Sequence, residues 1–275
     1  MARVIFTEDK NEPGLDDFRD LSTADRRPDR PGGRGLVIAE GTVVVERLLR
    51  SPYPVRALLG VERRIRDLAD DLAGLDVPAY VTSAETMADV VGFHLNRGVL
   101  AVADRPAPPS VEGIVDNARV LAVLEGVGDH ENLGALFRNA AALGVDGVLL
   151  GAGCSDPLYR RSVRVSMGHV LRVPFATFDD WPGGLGLLRQ RGFTVAALTP
   201  RADSVSLRSL RALRSLRDTA TGRVALLFGS EGPGLSEEAL AAADLTVRIP
   251  MADGVDSLNV ATAAAVAFYE VSDRD

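Results

Sequence analysis

Three short segments of this 275-residue chain collect side chains able to bind, orient or move a proton. Each directly follows an apolar run that reads as a strand. The first, residues 124–139, carries Glu125, Asp129, His130, Asn132 and, six positions after Asn132, Arg138. Asn132 can cap a helix starting there, with Arg138 more than one turn inside it. The plain alternative is a capped helix whose arginine sits in a salt bridge. The second segment, Phe228-Gly229-Ser230-Glu231-Gly232-Pro233-Gly234-Leu235-Ser236, wraps glycines and a proline around one carboxylate. Glycine lets backbone approach a ligand closely, although a purely structural turn has the same composition. The third runs from Ile249-Pro250-Met251 to Ser257-Leu258-Asn259-Val260-Ala261. Ser257 and Asn259 project near the start of the last helix, where backbone N–H groups lack partners. Ordinary N-capping accounts for Ser257 better than for Asn259. Ligands of open α/β sheets bind beyond the carboxyl ends of strands, which is where all three segments fall.

Other chemistries find less support. The glycine-rich turn lacks the Gly-Lys-Ser/Thr of a P-loop, and its glycine spacing and late position fail the dinucleotide fingerprint. His94, His130 and His169 sit in different elements without metal-ligand spacing, so no metal is expected. Ser155, Ser230 and Ser236 lack a Gly-x-Ser-x-Gly elbow. Cys154, the single cysteine, reads as a small packing residue that cannot form an internal disulfide.

The elements that must position these residues fall into two α/β series. Strands are predicted at 36–39, 55–59, 78–81 and 98–103, with helices at 43–49, 65–72 and 84–91, the last capped by Ser83. Pro106, Pro108 and Pro109 cannot lie in a helix interior or central strand, so a linker is placed over 105–117. A second series follows, with strands at 120–124, 147–150, 173–176, 193–198, 224–228 and 245–249. Its helices are predicted at 133–143, 158–167, 185–191, 207–216 and 257–270. Near-continuous apolar strands separated by helices point to a parallel sheet covered on both faces. Residues 1–22 show no sustained period and are expected to form a mobile extension.

The composition, 46% apolar and 25% charged, is that of an ordinary globular protein. No apolar run is long enough for a spanning helix and none resembles a signal peptide, so a cytoplasmic, non-membrane protein is expected. The net charge of −7 argues weakly against binding nucleic acid through bulk charge, but a local basic surface suffices to dock a phosphate backbone. Lys10 is the only lysine, so arginine carries nearly all the positive charge. Arg26, Arg27, Arg30 and Arg34 form one basic, turn-rich stretch. Arg160, Arg161 and Arg164 form another, with Arg160 and Arg164 on one helix face.

Taken together, the three loop segments resemble the three motifs of the SpoU (TrmH) branch of the SPOUT superfamily of RNA methyltransferases. Asn132-x-Gly134-x-x-x-Arg138 is similar to the first motif. Phe228-Gly229-Ser230-Glu231-Gly232-x-Gly234-Leu235 is similar to the second, with Ser230 where many members carry Asn. Ile249-Pro250-Met251 with Ser257-Leu258-Asn259-Val260-Ala261 is similar to the third. The likeness covers about residues 118–270. More loosely, residues 35–46, with Ala39-Glu40-Gly41 at their centre, resemble the start of the family's ribosomal-protein-like RNA-binding domain.

The resemblance implies a SPOUT-type, trefoil-knotted α/β methyltransferase domain over 118–275, preceded by a small α/β RNA-binding domain over 23–104. It implies S-adenosylmethionine as cofactor, contacted by Thr199, Gly229, Ile249 and Leu258. Arg138 is expected to act on a ribose 2′-hydroxyl, helped by Asn132, Glu231, Ser257 and Asn259. A free guanidinium stays protonated far above neutral pH and is a poor base. Arg138 is therefore read as gripping the adjoining phosphate and orienting the hydroxyl. Arg26, Arg27, Arg30, Arg34, Arg160 and Arg164 are the candidate RNA contacts. Ribosomal RNA is favoured over transfer RNA, and a homodimer is expected because the family builds its site at a subunit interface. Two other classes stay open: a non-catalytic ribosome- or RNA-binding assembly factor that keeps the pocket, and a nicotinamide enzyme, which the missing fingerprint disfavours.

Overall fold

The computed structural model of the protein describes residues 2–21, 35–209 and 222–272. The chain divides into two compact units. One gathers residues up to Ala107 together with Leu158–Leu171, and the other holds Pro108–Pro157 and the chain from Arg172 onward.

Among the described residues, the first unit has a five-stranded sheet. Its strands are β1 (Arg3–Phe6), β2 (Leu36–Glu40), β3 (Val55–Gly60), β4 (Pro78–Val81) and β5 (Val99–Asp104), in the order β1-β4-β3-β5-β2. Ser83 caps the helix Ala84–Val91 by accepting from the Thr86 N–H, and Gly92 closes it in the left-handed conformation. Met87, Val90 and Val91 on its inner face join Leu15, Phe18, Leu59, Tyr80 and Leu100 in the core.

Residues 2–21 are therefore packed rather than mobile, which corrects the expectation from sequence. β1 pairs in parallel with β4, and Leu15 and Phe18 are fully buried. The segment has no helical or strand period because its anchors sit on a 3-10 turn, Pro13–Phe18. Gly14 is seated so closely on Tyr80 that a Cβ there would fall 1.8 Å from the phenolic oxygen.

Leu158–Leu171 carries the short helix Arg160–Val165 and packs on β2 within this first unit. Gly168, at φ +81°, lets the chain pass the helix Thr42–Leu49, where a Cβ would lie 3.3 Å from both Val44 and Arg47. The Arg47 guanidinium donates to the Met167 carbonyl. In sequence this stretch lies inside the second α/β series, so the boundaries drawn from the linker miss it.

The second unit is built on a sheet of β6 (Val120–Leu124), β7 (Gly147–Leu150), β8 (Phe175–Thr177), β9 (Phe193–Leu198), β10 (Val205–Ser206), β11 (Arg223–Phe228) and β12 (Leu245–Arg248). The order is β10-β12-β9-β11-β6-β7-β8, and every pairing is parallel. Leu121 and Val123 face one core with the helices Val111–Asn117, Leu185–Gln190 and Glu237–Ala242. The opposite face carries the helices His130–Leu143 and Val260–Val271, which pack on each other. Phe228 meets Phe268 edge-on there at 5.5 Å. The α/β class with a doubly covered parallel sheet thus stands. The linker expected over 105–117 is shorter, because Ser110 caps Val111–Asn117 and Ile114 and Val115 are buried. Residues 210–216 of the helix expected over 207–216 lie outside the described residues.

Glu8 fastens the N-terminal segment to the sheet. Its carboxylate accepts from the Ser83 N–H and from the hydroxyls of Thr82, Ser83 and Thr86. Bonds from Thr86 and then Ser83 hold its pKa below the ordinary 4.5, against a smaller desolvation effect. A carboxyl whose folded pKa is lowered contributes fully above its unfolded pKa and loses that contribution as pH falls through the lowered value. We expect Glu8→Gln to unfold at lower urea than the wild type at neutral pH, with the gap closing in acid. A gap that stays constant across the pH series would show that Glu8 does not act through its charge.

Candidate functional site

Asp129, at the foot of the helix His130–Leu143, is the cap that the sequence reading assigned to Asn132. Its Oδ1 accepts from the N–H groups of Glu131 and Asn132, both at 2.8 Å. The side chain of Asn132 is thereby released for another role. Its Nδ2 donates to Glu231 Oε1 at 3.0 Å, and its Oδ1 accepts from Asn259 Nδ2 at 2.7 Å. Asn259 Nδ2 also donates to Glu231 Oε1 at 2.7 Å. The three side chains close a hydrogen-bonded triangle between the ends of β6, β11 and β12.

Asn259 does more than join the triangle. Its Oδ1 accepts from the N–H groups of Ala261 and Thr262 at 3.0 and 3.2 Å, so it caps the last helix. Both amide hydrogens and both oxygen lone pairs are in use, the full capacity of an asparagine side chain. The expectation that Ser257 caps this helix is corrected: the helix starts later, at Val260, and Ser257 is exposed in the preceding loop.

Beside the triangle lies a cavity of about 520 Å³. Thr199, Gly229, Ile249 and Leu258 all line it, as do Glu231, Ser257 and Asn259. Its walls come from the loops after β9, β11 and β12, at the carboxyl ends of adjacent parallel strands. Phe228, Met251 and Val260 from the motif segments, with Leu198 and Val247 from outside them, supply further apolar lining. Gly229 is needed for a reason other than ligand approach. A Cβ there would fall 2.2 Å from the Gly234 carbonyl carbon, so the turn can fold back only on a glycine.

Arg138 is not brought to the cavity. Six residues at about 100° each set it roughly 120° around the helix from Asn132. It is exposed and makes no hydrogen bond or ion pair among the described residues, which removes the salt-bridge alternative. Asn139, one residue on, ties the two site helices together by donating to the Ala261 carbonyl at 2.8 Å.

Arg160 and Arg164 belong to the first unit and share one buried carboxylate. Each places Nη1 3.7 Å from Glu40 Oε2, and the Arg160 guanidinium lies 4.5 Å over the Phe93 ring. Burial pulls the Arg160 pKa below its ordinary value, Glu40 opposes that shift and Arg164 adds to it. Their common helix face matches the i, i+4 spacing, but the face turns inward to Glu40 instead of presenting a free basic cluster. Arg26, Arg27, Arg30 and Arg34 lie outside the described residues. Cys154 donates its thiol to the Leu124 carbonyl, and burial pushes its pKa up, which disfavours the reactive thiolate. Among the described residues, no cluster of metal-ligating side chains occurs and no helix is long and apolar enough to cross a membrane.

Residues 119–269 match the family described as SpoU rRNA Methylase. The chain belongs to this family. As a SpoU member it is a methyltransferase, and the glycine-rich turn, the triangle and the cavity all lie inside the matched residues. The chain is 57% identical over 262 residues to an uncharacterized tRNA/rRNA methyltransferase of Mycobacterium tuberculosis, covering 95% of this chain and 89% of the relative. It is 28% identical over 234 residues to the 23S rRNA (guanosine(2553)-2′-O)-methyltransferase of Bacillus subtilis, covering 85% and 87% of the two chains. The AdoMet-bound rRNA methyltransferase of Sinorhizobium meliloti shares the fold, with a TM-score of 0.76 at 24% identity over 98% of this chain and 97% of that one.

The triangle predicts a specific response to substitution. Asn259→Ala removes the helix cap and two amide donors and is expected to cost roughly 1–2 kcal/mol. Asn259→Asp keeps the cap acceptor but sets a second carboxylate against Glu231. Like charges raise the folded pKa values, so stability present in acid is lost as pH rises. Urea unfolding should show the Asn259→Asp deficit growing as pH rises above the ordinary carboxylate range near about 4, while the Asn259→Ala deficit stays flat.

Proposed function

We propose that this SpoU-family methyltransferase acts on the 2′-hydroxyl of a ribose in structured RNA, with ribosomal RNA as the first substrate class and transfer RNA as the second. The observation that carries the reading is the Asn132–Glu231–Asn259 triangle beside a cavity lined by Thr199, Gly229, Ile249 and Leu258. The Bacillus subtilis relative, named for 2′-O-methylation of 23S rRNA, supports the choice of atom and of RNA.

The methyl donor is S-adenosylmethionine, which supplies an electrophilic methyl carbon on a positively charged sulfur. The cavity suits it in size and character. At about 520 Å³ it falls within the roughly 300–1,000 Å³ of small-molecule sites. Leu198, Ile249, Leu258 and Val260 offer apolar faces to a purine, and the Glu231 carboxylate offers a counter-charge to a cationic ligand. Asn132 and Asn259 hold Glu231 through Oε1 and leave Oε2 without a partner among the described residues. Rigid placement matters here, because alignment of reacting groups alone can contribute roughly 7–11 kcal/mol.

Arg138 supplies a permanently charged cation for the phosphate next to the target ribose and orients the hydroxyl. Its outward placement on the helix supports a homodimer in which Arg138 reaches the site across the interface. On the Val260–Val271 helix, Val266 (41%) and Tyr269 (73%) are exposed and offer that interface an apolar surface. A trefoil knot is part of the same reading. β11 enters between β9 and β6, the chain crosses to β12 beyond β9, and its last helix returns to the helix after β6. The first unit is assigned to RNA docking, with Arg26, Arg27, Arg30 and Arg34 as its candidate phosphate contacts and Arg160 and Arg164 available when Glu40 is displaced. The enzyme is assigned to the cytoplasm, where these RNAs are modified.

The deciding experiment is transfer of labelled methyl from S-adenosylmethionine to total RNA lacking the modification, by wild type and by Arg138→Ala. We expect label on a 2′-O-methyl nucleotide after nuclease digestion, reduced roughly 100-fold or more in the variant. Label on a base would overturn the ribose reading. Absence of transfer despite bound S-adenosylmethionine would favour a non-catalytic RNA-binding factor.

A further inference from the structure

A half-buried carboxylate at the end of β6 takes no part in the chemistry above. Glu125 Oε2 accepts from the Ser236 backbone N–H at 2.8 Å, and Oε1 accepts from the Ser236 hydroxyl at 2.7 Å. Oε1 also accepts from the indole N–H of Trp181. The Glu125 backbone N–H meanwhile donates to the Phe228 carbonyl at 2.9 Å. Phe228 and Ser236 are the residues immediately before and after the 229–235 turn that carries Glu231. One residue therefore grips that turn at both ends.

The grip continues on both sides. The Ser236 hydroxyl accepts from the Ala239 N–H and so caps the helix Glu237–Ala242. Gly126, at φ +68°, brings the β6 loop so close to the turn that a Cβ there would meet Ser230 Cβ at 3.2 Å. Trp181, the only tryptophan of the chain, lies flat on Gly151, where a Cβ would come within 2.6 Å of the ring. Gly151 itself donates to the Leu124 carbonyl at 2.7 Å. Trp181 is thus wedged beside Glu125, with its indole N–H on the carboxylate.

We propose that Glu125 is a positioning residue that clamps the Gly229–Leu235 turn, sets the cavity wall and the place of Glu231, and couples cavity occupancy to Trp181. The part concerning occupancy rests on the S-adenosylmethionine reading above. The clamp itself can be tested on the protein without ligand. Glu125→Gln is nearly isosteric but turns one acceptor into an NH2 group that faces donors. Ser236→Ala is milder, removing the hydroxyl while leaving the carboxylate in place.

Hydrogen–deuterium exchange of the unliganded full chain should show faster exchange at 229–236 in Glu125→Gln, with β6 and β11 unchanged. Ser236→Ala should show a smaller change at the same amides. Calorimetry should show S-adenosylmethionine binding weakened roughly tenfold or more, the usual scale for losing charged hydrogen bonds. Adding S-adenosylmethionine should change Trp181 emission in the wild type and leave it unchanged in Glu125→Gln, and binding to the wild type without an emission change overturns the coupling to Trp181. Unchanged exchange at 229–236 in both variants overturns the clamp. Unchanged affinity in Glu125→Gln, with only a lowered melting temperature, reduces Glu125 to a scaffold residue and overturns its role in the site. Failure of the wild type to bind S-adenosylmethionine would overturn the cofactor reading instead, and the exchange result would still decide the clamp.

Discussion

The helix Val260–Val271 needs acceptors for its first free N–H groups, and Asn259 supplies one with the same side chain that holds Asn132 and Glu231. That double use links secondary structure to chemistry. The last helix cannot start elsewhere without breaking the triangle, and the triangle cannot shift without uncapping the helix. Because the helix is seated on His130–Leu143 through apolar packing and the Asn139 to Ala261 bond, the position of Glu231 depends on how two helices meet across one face of the sheet. The parallel topology makes this possible by bringing the ends of β6, β11 and β12 to the same edge.

Glu125 performs the matching task on the opposite side of the turn. Asn132 and Asn259 hold Glu231 from above, while Glu125 holds the two ends of its loop from β6. The turn between them is stiffened by its own geometry, since Gly229 packs against the Gly234–Leu235 backbone with no room for a side chain. A loop on a protein surface would ordinarily be among its more mobile parts. Here it is held by charged and amide hydrogen bonds at its tip and at both of its ends.

Much of this architecture was legible in the sequence where the local signal and the tertiary outcome agree. The strands over 120–124, 147–150 and 193–198 stand at those residues, and Ser83 caps its helix as its position before an amphipathic run indicates. Legibility failed where two residues competed for one role. Asp129 and Asn132 are both able to cap, as are Ser257 and Asn259, and only the packed structure decides between them. In the first pair the Asp-x-x-Asn spacing, with Glu131 in the first turn, already favoured Asp129. In the second, Asn259 directly precedes a stretch that is apolar up to Phe268 but for Thr262. Residues 2–21 were missed for another reason. Their burial rests on a few large side chains at a 3-10 turn, a geometry with too short a period to read. Glu125 carried no spacing signal, because its partners Trp181 and Ser236 lie 56 and 111 residues away.

The placement of Leu158–Leu171 bears on how this protein can be divided and inherited. The first unit is discontinuous in sequence: its last piece is encoded inside the gene segment for the second. Its helix Arg160–Val165 packs on β2, and His169–Leu171 meets the helix Thr42–Leu49, both within the first unit. A gene fragment beginning at residue 108 would therefore carry a stretch of chain cut off from the surface it covers. The two units are not interchangeable cassettes. Exchange of the first unit between relatives has to carry two separate stretches of sequence together, and a single crossover at the proline linker leaves the stretch around Arg160 and Arg164 without the Glu40 it was paired with.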